Sequence, residues 1–150
     1  MSHPEGLPTG DPSRRREPAF NVPPATLVIC LALVAVYGIF RLSGAETQQW
    51  ILETFAFIPG WFLAQFGPAS EGVSPAGLWP LVSHAFLHID LTHLVLNAGF
   101  LLAFGALVER RFGTPGFLVI FCVAAAAGAL LQAAVKGPTG SIMIGASGAV

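Results

Sequence analysis

The chain has 150 residues, of which 54% are hydrophobic and only 10% charged, with a formal net charge of -1. A water-soluble domain of this size needs more charge to cover its surface, so the composition points to a membrane protein. The near-neutral balance excludes a basic surface for nucleic acid.

Residues 1–24 read as a disordered cytoplasmic tail: they are rich in proline and carry the cluster Arg14, Arg15 and Arg16. From Phe20 to Phe40 there is no charge, and "TLVICLALVAVYGIF" is apolar enough for a spanning helix over about 25–43. Pro23 and Pro24 suit its start. A cleaved signal peptide is the rival reading, with small residues at Ser43 and Ala45, but its basic region is long and further apolar segments follow.

Residues 44–89 are aromatic and apolar but interrupted by Pro59, Gly60, Gly67 and Pro68. Trp50, Trp61 and Trp79 all fall there, which suits a loop lying at the membrane interface. A large loop on the aqueous side with a small core of its own is the alternative.

A second span is expected over about 91–111. Asp90 can cap its start and Glu109, Arg110 and Arg111 close it, with Gly113 beyond. Thr114 and Pro115 read as the N-cap and first residue of a third span, 115–136, stopped by Gly137 and Pro138. The turn between the two is short, so they are antiparallel neighbours. Ala124 with Gly128, and Ala125 with Ala129, are small residues four apart that allow close helix contact in lipid. Cys30 and Cys122 both lie in apolar runs and read as packing residues, not a disulfide. The start of a fourth helix is expected from about 146. Arg14–Arg16 and Arg110–Arg111 fall on one side if the helices alternate, and that side is cytoplasmic by the positive-inside rule. The fold class is therefore all-α, a polytopic membrane bundle.

Polar groups in membrane helices are costly and mark function. His93 and Asn97, four apart, share one helix face near its outer mouth. Taken alone they also fit a polar contact between helices. His84, His88 and His93 raise a metal site, but only Asp90 could join them and the spacing is poor. Ser147 sits between Gly145 and Gly148 where a loop turns toward a helix. Free N–H groups there could hold an oxyanion, though "GASGA" by itself is also a common packing phrase.

The combination is more specific than its parts. Trp79, "HAFLH" at 84–88, "HLVLN" at 93–97, "FGALVERRFG" at 104–113 and "GASGAV" at 145–150 together resemble the rhomboid family of intramembrane serine proteases. The resemblance covers about residues 26–150 and is strongest over 79–150. It implies Ser147 as nucleophile, and His93, Asn97 and the backbone N–H of Ser147 as oxyanion stabilisers. It implies that the loop 44–89 is the first external loop and that the "ERR" end of the second span is a cytoplasmic polar anchor. Substrates would be transmembrane proteins in the lipid bilayer, without metal or cofactor, in a bacterial inner (plasma) membrane.

Rhomboids activate the serine with a histidine on a later helix. The histidines here are His3, His84, His88 and His93, and none occupies that position. The expectation is an N-terminal fragment with three spans, inactive alone, from a parent serine endopeptidase. Two rivals remain. A rhomboid-like pseudoprotease would bind transmembrane clients without cutting. An unrelated transporter or channel would need polar residues lining several helices, and only Tyr37, Cys122 and Gln132 offer themselves.

Overall fold

The computed structural model describes residues 22–149 apart from residues 69 and 71. The arginine cluster and His3 lie outside the described residues.

Helix α1 (Pro24–Leu42) begins where Pro24 supplies a fixed φ and needs no hydrogen-bond donor, and it ends at Ser43 in extended backbone. It is long and apolar enough to cross a membrane. So is the stretch Leu91–Thr139. Its 49 residues would span about 74 Å if straight, more than twice the ~30 Å apolar thickness of a bilayer. It is not straight. Helix α6 (Leu91–Phe100) passes through a π-helical turn (Leu101–Gly105) into α7 (Ala106–Lys136). Within α7 the backbone breaks at Gly113, with φ 72° and ψ 169°. Only glycine reaches that conformation without steric cost. Two legs result, and their packing shows that the second folds back along the first. Leu94 and Leu101 before the break share a buried cluster with Phe117, Phe121 and Ala125 after it, and with Ile29, Cys30 and Leu33 of α1. Cys30 and Cys122 are both free thiols.

At the Gly113 end, one carboxylate ties the three helical segments together. Glu109 is buried. Its Oε1 accepts from the backbone N–H of Ala25 at 3.0 Å and from the Thr114 hydroxyl at 2.7 Å. Its Oε2 accepts from the N–H and hydroxyl of Thr26 at 2.7 and 2.8 Å. The first-turn N–H groups of α1, which no helical carbonyl can satisfy, are thus capped by a side chain more than 80 residues away.

Residues 44–89 are built from short helices: α2 (Ala45–Phe55), α3 (Pro59–Ala64), α4 (Pro75–Leu78) and α5 (Pro80–Ser83), then a 3₁₀ turn at His84–Phe86. Prolines at the first positions of α3, α4 and α5 fix each start. Trp79 pins this region together. Its ring stacks at a tilt on Phe55 at 4.7 Å, and its Nε1–H donates to the Thr54 carbonyl at 2.9 Å. Trp50, Trp61 and Trp79 keep large exposed faces.

Candidate active site

The site is assembled from the start of α6 and the segment that follows α7. Asp90 accepts from the N–H of His93 at 2.7 Å, so α6 starts abruptly and its first turn is fixed. His93 and Asn97 then point from successive turns of one face.

The serine segment returns to this face by three backbone bonds. Phe57 and Met143 exchange two, at 3.1 and 2.8 Å, in an isolated antiparallel bridge. The N–H of Gly145 donates to the carbonyl of His84 at 2.8 Å. Gly145 has φ 95°, and a Cβ there would fall 2.4 Å from Cε1 of His93. The His93 ring therefore lies directly against the backbone that leads into Ser147. Residues 146–148 form a single 3₁₀ turn, where the sequence suggests the start of a longer helix.

Ser147, His93 and Asn97 line one cavity of about 440 Å³, walled by Leu96, Phe100 and Phe104. Ser147 is exposed to it, and among the described residues nothing hydrogen-bonds its hydroxyl. The π-helical turn begins directly beyond Phe100, and the Phe100 and Phe104 rings stack at 6.0 Å. Such turns shift the register of side chains along a helix, here beside the cavity. A larger apolar groove of about 590 Å³ lies elsewhere, between α1 and α2, with Trp50 and Trp79 on its walls. Its one hydroxyl, that of Ser83, donates to the Phe55 carbonyl at 2.7 Å, and no histidine or side-chain amide lines the groove beside it.

Two histidines lie behind the cavity. His84 is fully buried and hydrogen-bonds the Pro80 carbonyl through Nδ1 at 2.8 Å, leaving Nε2 without a partner. Burial lowers its pKa, and the bond to Pro80 opposes this in part. His88 is also buried; its Nε2 lies 3.1 Å from Asn97 Nδ2 and its ring meets that of His93 edge-on at 5.0 Å. Burial first, and the neighbouring His93 second, lower its pKa to about 4, against weaker pulls from the Phe86 carbonyl and Asp90. Both rings are neutral at pH 7. Among the described residues no three His, Cys, Asp or Glu side chains converge as metal ligands.

The polar contact between His88 and Asn97 is the feature that spacing alone misses, because it joins the loop to α6. A signal existed: "HIDLTHLVLN" places a second imidazole, His88, just ahead of the helix.

Comparison with known proteins agrees with this architecture. The model of the Rhomboid domain matches residues 75–150. The chain is 33% identical over 73 residues to Rhomboid protease GlpG of Haemophilus influenzae, covering 49% of this chain and 36% of that protein. It is 39% identical over 69 residues to Rhomboid-like protease 3 of Toxoplasma gondii, covering 46% and 25%. It is 28% identical over 115 residues to Rhomboid protease GlpG of Salmonella typhi, covering 77% and 37%. The chain thus spans between a quarter and two-fifths of the length of these curated relatives. With the domain match covering half of it and two apolar stretches long enough to cross a bilayer, this chain is an integral membrane protein and belongs to the rhomboid family.

Proposed function

We propose that the chain carries the nucleophile and oxyanion half of an intramembrane serine endopeptidase that cuts transmembrane segments of other proteins. The observation that supports it is the shared cavity of Ser147, His93 and Asn97. In this reading the Ser147 hydroxyl attacks a substrate carbonyl. The developing oxyanion is met by the N–H of Ser147 and by the side chains of His93 and Asn97. A hydroxyl is a weak nucleophile until a base takes its proton. His88 is engaged with Asn97 and His84 does not line the cavity, so neither is assigned as that base. The reaction draws on a histidine from a later helix, as in the resembling family.

The orientation follows from charge. Arg110 and Arg111 stand beside the Gly113 break, so that end faces the cytoplasm. His93 lies about 24 Å along the helix from Glu109, which puts the cavity near the outer surface of a bacterial inner membrane. Residues 1–24 are then a cytoplasmic tail, and residues 44–89 an interfacial loop on the outer side.

The test uses a fluorophosphonate probe and a transmembrane reporter. The 150-residue chain in detergent is expected to stay unlabelled. A form that also carries the later helices is expected to label at Ser147 and to cleave the reporter, and Ser147→Ala to lower cleavage by about a thousandfold or more. Ser147-dependent labelling of the 150-residue chain would place the base within it. Binding of the reporter by the longer form, without cleavage, would favour a client-binding pseudoprotease.

A further inference from the structure

His88 takes no part in the chemistry just described, yet it is buried and makes a direct contact with a residue that does. Asn97 is 4% exposed, and its Nδ2 meets two groups: the His93 carbonyl at 3.0 Å and His88 Nε2 at 3.1 Å. A carbonyl only accepts. The nitrogen end of the amide must therefore face it, and this settles the amide's orientation. The same nitrogen faces His88, so His88 Nε2 must be the bare, accepting atom and its proton must sit on Nδ1. Nδ1 is buried and makes no full hydrogen bond, but the Phe86 carbonyl is the backbone acceptor acting on the ring and favours a proton there. The bond to Asn97 selects the same tautomer.

Both N–H groups of Asn97 are thus engaged in the resting structure, and neither is free for an oxyanion. They differ in how readily they are released. In an α-helix the carbonyl of residue 93 already accepts from the backbone N–H of residue 97, so it stays satisfied when the side chain leaves. Among the described residues His88 Nε2 hydrogen-bonds Asn97 alone, and it would be left bare and buried. We propose that His88 is a positioning residue: it anchors Asn97 by one N–H and leaves the other to swing from the His93 carbonyl to the oxyanion formed on attack by Ser147. This rests on the protease reading. The same ring backs His93 edge-on, so one neutral imidazole braces both oxyanion groups.

The test begins with the full 150-residue chain, labelled with ¹⁵N at histidine and asparagine, in micelles at pH 7. His88 is expected as the Nδ1–H tautomer, with a scalar coupling across the bond from Asn97 Nδ2 to His88 Nε2. His88→Leu is expected to shift one Asn97 amide proton toward its free value, and His88→Gln, which keeps an acceptor at that point, to restore it. An Nε2–H tautomer in the unmutated chain overturns the proposal whether or not either variant folds. In a form that cleaves substrate, His88→Leu is expected to lower kcat about a hundredfold at nearly constant KM, with most activity recovered by His88→Gln. Equal loss in both variants, tracking their thermal midpoints, also overturns it. Absence of turnover in the unmutated protein would tell against the protease reading and leave the tautomer to decide this one.

Discussion

Gly145 shows how tightly single residues are constrained around the cavity. Its φ of 95° and the 2.4 Å approach of a hypothetical Cβ to the His93 ring act together. Gly145→Ala is expected to cost about 1–3 kcal/mol and to displace either His93 or the serine turn. Circular dichroism melts in detergent measure the first effect, and loss of Ser147 labelling in an active form measures the second. The two buried imidazoles give a pH signature. His88 is held near 4 and His84 is also lowered, whereas in the unfolded chain both take up protons near the ordinary value of 6.5. The unfolded state therefore binds more protons between those values, and stability present above pH 6.5 is lost as pH falls toward 4. The thermal midpoint is expected to fall across that window, and His88→Gln to flatten part of the fall.

At the scale of elements, the long apolar helices were legible, while the short helices α2 to α5, read as a loop, and the fastenings between elements were not. Apolar run length shows α1 and the paired legs around Gly113, and Asp90 announces its own cap, because both signals are local. Glu109 read as a polar end to a span. Its partners at Ala25 and Thr26 lie more than 80 positions away, and no local pattern encodes such a contact. The Phe57–Met143 bridge and the π-helical turn were invisible for the same reason: tertiary packing, not propensity, selects them. The four-residue spacing of His93 and Asn97 put them on one face, but not the engagement of both Asn97 N–H groups. Glu109→Ala removes the acceptor of four hydrogen bonds and leaves buried donors unsatisfied. It is expected to destabilise by roughly 3 kcal/mol or more, against about 1 kcal/mol for Thr114→Val, which removes only one of them. Denaturation in mixed micelles distinguishes the two.

For the whole molecule, the testable statement is topology. Phe112 and Thr139 are exposed and flank the leg that runs back from Gly113. With Cys30 and Cys122 replaced, Phe112→Cys and Thr139→Cys are expected to react with a membrane-impermeant maleimide from opposite faces of sealed vesicles, Thr139 from outside. Labelling of both from one face would overturn the proposed orientation. The two ends of the bundle are also unequal. One is cross-linked by a carboxylate with four donors, while the other is closed by three backbone bonds between loops. Heat, detergent or an incoming chain will part the cavity end first and leave the Glu109 end clasped, much as a book opens away from its spine.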